Sequence, residues 1–249
     1  MSTALRDTRR GWLMLAYSVA AYVTFLVAQV LAVLPFALVS RPGGAGARVP
    51  GAVLVSGLVV SAVVAGVVAA AGAAHLGRGN LRERLRGELS VRWRLRDAGI
   101  GLFLGVAGLF LAWPASTLWA LSVGKDHANS AVGEVFAGQR LHLGWALTLF
   151  FAVLLISPVY EEMLFRGVLW RAMEYWRWNR WVILVVTTVL FSLAHFELLR
   201  TPLLVVITLP IALARLITGN LLASIVAHQT NNFLPAVVLL LSTQGVLHG

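Results

Sequence analysis

The chain contains no cysteine, a single lysine and only ten acidic residues in 249. Without cysteine there is no disulfide, no thiolate nucleophile and no Cys-ligated metal. The one lysine, Lys125, stands against 19 arginines, a skew that reads as genomic composition bias. Charged residues make up 12% of the sequence, about half of what a soluble domain carries. The scarcity of charge excludes an ordinary soluble domain. It also removes the reading that a net charge of +10 invites: no soluble basic domain exists to hold a nucleic acid.

What the chain has in quantity is apolar sequence. Hydrophobic residues make up 59%, and the mean hydropathy is +0.84. A membrane span needs about 20 mainly apolar residues. Seven runs qualify, at roughly 12–39, 51–74, 98–122, 145–170, 181–199, 202–217 and 219–242. The sixth is short and also reads as re-entrant, so the count is about seven, or eight with a further span. The expected fold is an all-α polytopic membrane helix bundle with an intramembrane polar site. A two-span region with a basic loop (1–97) is expected to precede a helical core (98–249). The first apolar run is too long for the core of a signal peptide and reads as an uncleaved span. The 75–97 loop, with Trp93 among its arginines, reads as an ordinary basic loop or as an amphipathic surface helix. Residues 41–50 read as a flexible connector, and 123–141, with Asp126, His127 and Glu134, as a solvated outer loop.

Arginine placement sets an expected orientation, because short cytoplasmic loops accumulate Lys and Arg. With a cytoplasmic N-terminus, that side holds Arg6, Arg9, Arg10, Arg78, Arg82, Arg84, Arg86, Arg92, Arg94, Arg96, Arg166, Arg171, Arg177, Arg180 and Arg215. The other side holds Arg41, Arg48, Lys125, Arg140 and Arg200. The expectation is a multi-pass protein of a bacterial cytoplasmic membrane with its N-terminus inside.

Few polar groups remain at membrane depth: Glu161, Glu162, Arg166, His195, Glu197, Arg215, His228, Asn231 and Asn232. A charge there costs roughly 2.5–3.5 kcal/mol on insertion scales, so each is a candidate for function with a partner to be named. Glu162 and Arg166 stand at i and i+4, glutamate first, the favourable order for an ion pair. Glu161 is turned about 100° away on a helix and is left free to act. Pro158 is placed to kink that helix and release a backbone carbonyl. His228 and Asn232 share one helix face; taken alone they read as an interhelical polar clamp, and His195 alone as a packed histidine. At about 1.5 Å per residue, Glu161, His195, His228 and Asn232 fall into one layer, provided the helix carrying the glutamates continues well past Tyr160. A carboxylate and a histidine orient and deprotonate water, while a histidine and an asparagine stabilise a developing oxyanion. Those groups are equipment for amide hydrolysis without a covalent intermediate. No serine elbow or HExxH helix competes with that reading.

Three motifs carry a resemblance. Glu161-Glu162-Met163-Leu164-Phe165-Arg166 is EExxxR, Phe191 to His195 is FxxxH, and His228 to Asn232 is HxxxN. In this order, on successive helices, they resemble the CAAX-protease and bacteriocin-processing (CPBP, or Abi) family of intramembrane proteases, over about residues 100–245. The resemblance implies that Glu161 is the general base activating water, with His195 as its partner. It implies that His228 and Asn232 form the oxyanion site, and that Glu162 and Arg166 support the helix. It implies a membrane-anchored peptide or protein substrate; the oligomeric state stays open. No cofactor is favoured. The alternative is a zinc ion held by Glu161, His195 and His228 with water as fourth ligand, although EExxxR does not supply the helical histidine pair of zincins. The competing functions are a non-catalytic scaffold or bacteriocin-immunity protein on the same fold, and a proton-relaying transporter, for which no inverted repeat is present.

Overall fold

The computed structural model describes residues 3–39, 49–124 and 130–247. Among the described residues there are nine helices and no strand. They are α1 (Thr3–Val39), α2 (Gly51–Leu76), α3 (Leu81–Glu88), α4 (Leu95–Val123), α5 (Ala131–Phe136), α6 (Leu143–Tyr175), α7 (Arg180–Leu193), α8 (Thr201–Thr218) and α9 (Leu221–Gln244). Among those residues six helices are long and apolar enough to cross a membrane: α1, α2, α4, α6, α8 and α9. The expected all-α membrane bundle is therefore the fold. In a bilayer no other open arrangement satisfies every backbone N–H and C=O within its own segment.

Two spans differ from expectation. The sixth, expected to be short and re-entrant, is an 18-residue helix of crossing length. The fifth, expected over 181–199, ends as a helix at Leu193 after 14 residues. The chain then turns, with Phe196 in the left-handed region at φ 56°, so His195 sits on a turn beyond the helix end and not within it. Of the loop readings, Arg41, Arg48, Lys125, Asp126 and His127 lie outside the described residues. Glu134 is exposed on α5. The basic 75–97 segment contains α3, started by a capping box in which Asn80 and Glu83 bond each other's backbone N–H.

The helix ends sort into two groups. At one end Glu88 accepts from Tyr175 (2.8 Å) and Arg171 (3.1 Å) and lies 3.5 Å from Arg10. This joins the start of α1, the end of α3 and the end of α6. Asn220, fully buried, caps α9 and donates to Asp97 (2.8 Å) and to the Arg92 carbonyl (2.7 Å), which pins α9 to the start of α4. At the other end Leu141 bonds Thr243 (3.2 Å), Gln139 bonds Val49 (3.3 Å), and Ala131 bonds Glu197 (3.0 Å). The first end is arginine-rich and the second arginine-poor.

The helix α6 carries the site, and two properties of it matter. It runs unbroken for 33 residues, so the adjacent glutamates lie near its middle. It is also π-helical on both sides of them, over Ala152–Ile156 and Met163–Leu169. Such insertions shift the helical register locally and are frequent at functional sites. Across from it, α9 packs tightly on α4 through small residues, the usual means of close helix approach in membranes. A Cβ on Gly105 would stand 2.6 Å from Thr230 Cβ and 2.7 Å from the Ala227 carbonyl.

That contact predicts the effect of filling it. Gly105→Val is expected to lower stability by about 1–3 kcal/mol, visible as an earlier thermal unfolding transition in detergent. Gly99→Val on the same helix, where a Cβ meets nothing within 4 Å, is expected to leave the transition within about 0.5 kcal/mol of wild type.

Candidate active site

Glu162 is fully buried, and its Oε1 accepts from two donors. One is Arg166 at 2.9 Å, one turn on, and the other is His228 Nδ1 at 3.0 Å, reached from α9. Arg166 is also fully buried and lies over the Phe191 ring, 4.5 Å from its centroid. Its backbone carbonyl accepts from Arg215 Nε at 2.9 Å, and Arg215 in turn lies over Trp170. Each charge thus has an opposite charge, an aromatic face or a carbonyl as its neighbour, which a low-dielectric interior demands.

Glu161 has a different environment. Its side chain keeps 21% of its exposure, and its Oε2 stands 3.6 Å from His228 Nε2. That is too long for a hydrogen bond and is a separation that a water bridges. His228 is therefore set between the two glutamates, its Nδ1 on Glu162 and its Nε2 toward Glu161. Because a carboxylate only accepts, Nδ1 carries a proton. His195 is oriented by its own turn: Nδ1 donates to the Phe191 carbonyl at 2.8 Å, which leaves Nε2 outward. Among the described residues Glu161 pairs with His228 and not with His195.

Asn232 donates from Nδ2 to the Val153 carbonyl on α6 at 3.1 Å. The reason lies in the helix. In the π stretch before Pro158, the Ser157 N–H bonds back five residues to Ala152. The next bond in that series would run from residue 158 to Val153, but proline has no N–H. Asn232 supplies the missing donor and keeps a second amide hydrogen. The carbonyl expected to be released by Pro158 is thus already taken.

Glu161, His195, His228 and Asn232 line one cavity of about 360 Å³, with Asn231, Ser157 and Tyr160 also on its wall. Glu162 and Arg166 lie behind it and do not line it. The wall includes α1, where Tyr22 donates to the Ala194 carbonyl at 2.6 Å and so fixes the turn before His195, and Phe25 stacks on Tyr160 at 5.1 Å. Two roles escaped sequence reasoning, Arg215 on the Arg166 carbonyl and Tyr22 on the His195 turn. The available signals were an arginine in an apolar helix and a hydroxyl in an apolar run. Among the described residues, no three His, Asp or Glu side chains converge closely enough to hold a metal ion, so the set Glu161, His195 and His228 does not form a coordination site as arranged.

Residues 143–234 match the family model for type II CAAX prenyl endopeptidase Rce1-like proteins. The segment begins at the start of α6 and ends two residues past Asn232, so it takes in all three motifs. The family read from those motifs is the one found. No curated protein and no solved structure matches the chain. At the level of the family, the chain is similar to membrane-embedded peptidases of the CAAX type.

The buried charge pair makes its own prediction. Arg166→Leu leaves Glu162 buried beside His228 alone and is expected to cost about 3–5 kcal/mol of stability. Glu162→Gln with Arg166→Leu removes both charges and keeps an acceptor for His228. The double variant is expected to recover most of the loss, read from thermal unfolding of the purified protein.

Proposed function

We propose that the protein is an intramembrane endopeptidase that hydrolyses a peptide bond of a membrane-associated substrate with water activated by Glu161. The observation carrying this reading is the split between adjacent carboxylates. Glu162 is spent on Arg166 and His228, while Glu161 reaches the cavity with no cation of its own beyond His228.

In this reading a water occupies the space between Glu161, His195 and His228. The outward Nε2 of His195 accepts one of its hydrogens and aims it. Glu161 takes the other proton as the water oxygen bonds the scissile carbonyl carbon. The carbonyl π pair moves to oxygen, and the oxyanion accepts from the second amide hydrogen of Asn232. It accepts also from Nε2–H of His228 when that ring is protonated between the two carboxylates. Collapse of the tetrahedral species re-forms the carbonyl and breaks the C–N bond. Glu161 returns its proton to the departing amine, so the carboxylate is regenerated and one water is consumed per bond. No step requires a metal.

The test compares membranes containing wild type with membranes containing Glu161→Gln, by mass spectrometry of newly formed peptide termini. Termini produced by wild type are expected to fall by about 10²–10⁴-fold in rate with Glu161→Gln, with thermal unfolding unchanged. Equal cleavage by the two proteins would remove Glu161 as the base.

A further inference from the structure

The catalytic cavity has one closed end and one open end, and the two ends differ in charge. Toward the arginine-rich end it stops against Glu162 and Arg166, with Arg215 and Trp170 packed behind them, all buried. Beyond that plug lie Arg171 and Arg180, flanking the α6–α7 turn, and the α8–α9 turn, where Arg92 bonds the Gly219 carbonyl. Toward the arginine-poor end the wall is made by Gln29 late in α1, Leu58 early in α2, Ala131 and Val132 of α5, and the turn carrying Phe196 and Glu197. Val132 and Phe196 are 38% and 67% exposed. A second, apolar cavity of about 520 Å³ between α1, α2 and α5 shares Gln29, Leu58, Ala131 and Val132 with the first. The open space therefore continues to that end and no other.

The charge asymmetry relates those ends to the membrane. Arg6, Arg9, Arg10, the seven arginines between α2 and the start of α4, and Arg171, Arg177 and Arg180 gather at the closed end. In the described residues the open end has Arg140 and Arg200, and Arg200 is neutralised by Glu197 at 2.9 Å. All the connections are short, the regime in which the excess of Lys and Arg marks the cytoplasmic side.

We propose that the active-site cavity is entered from the extracytoplasmic side of the membrane. The substrate is then a polypeptide that presents its scissile bond at the outer face beside its own membrane anchor, and not a cytosolic chain terminus. This rests on the endopeptidase reading for the word substrate, while the side of entry stands on geometry alone. The contact of Glu197 with the Ala131 N–H, at 3.0 Å, puts α5 across the mouth.

Because the chain has no cysteine, single-cysteine variants report the side directly. Ala131→Cys marks the mouth, Ser157→Cys the cavity wall and Arg82→Cys the arginine-rich end; none of these is in the catalytic set. Intact bacterial cells expressing each variant, and inside-out vesicles from them, are treated with a small membrane-impermeant thiol reagent. Labelling of Ala131→Cys and Ser157→Cys in intact cells, and of Arg82→Cys in inside-out vesicles alone, is the expected result. The reverse pattern overturns the proposal, as does a Ser157→Cys variant protected in both preparations while retaining wild-type thermal stability. Labelling does not depend on turnover. A protein labelled from outside whose cleavage survives Glu161→Gln would keep the side of entry and lose the mechanism, and the opposite pair of results would do the converse.

Discussion

A carboxylate and a guanidinium with no access to water must satisfy each other, and the Glu162–Arg166 pair is the constraint on which the rest of the site depends. Burying either ion alone costs several kcal/mol. The pair is 2.9 Å apart on one helix, and its remaining needs are met by three other helices. His228 on α9 gives Glu162 a second donor, Phe191 on α7 gives Arg166 a ring face, and Arg215 on α8 takes the Arg166 carbonyl. Phe191 serves twice, since its carbonyl orients His195. The histidines of the cavity are thus held by the shell around one ion pair.

The neighbouring glutamates have the same chemistry and opposite surroundings. One residue is about 100° of helical rotation, enough to move a side chain from a closed core to a cavity wall. The π stretches on either side of the pair re-set the register of α6 before and after it. Trp145, Val153 and Glu161 on one side and Phe165 and Trp170 on the other can then face neighbours that a uniform α-helix of 33 residues would not align. Of these, Val153, Glu161 and Phe165 line the cavity. The ordinary i,i+4 geometry survives where it is needed, between Glu162 and Arg166.

Much of the fold was legible because bilayer physics is blunt: apolar runs of sufficient length had to become helices, and the helix through Tyr160 had to continue past the glutamates. It does, to Tyr175. The Glu162–Arg166 contact was legible from spacing alone, as was the family, from three motifs in order. The end of α7 was not, because Leu193 to Leu199 is as apolar as the helix before it. What stops the helix is a left-handed Phe196 and a histidine whose ring bonds its own turn, neither of which hydropathy registers. Nor was the sharing of Glu162 by His228 legible, since it joins residues 66 apart. Asn232 looked free to bind an oxyanion, and half of its amide is committed to Val153. That commitment depends on a π register that no periodicity rule anticipates.

The same commitment gives the layer its rigidity. Glu161 and Val153 are on α6, and His228 and Asn232 are on α9, so the Asn232–Val153 bond ties the two helices between the base and the oxyanion donor. Side chains on helices with bonded partners hold position better than side chains on loops. His195 is the exception, sitting past a helix end. It is compensated by three ties around its turn: its own Nδ1 to Phe191, Tyr22 to Ala194, and Glu197 to the start of α5. Two of those three come from outside the segment that carries the motifs, one from α1 and one from α5. The N-terminal helix is therefore part of what positions the catalytic histidine, and a peptidase core cut away at the start of α6 would keep every motif residue and lose the constraint on one of them.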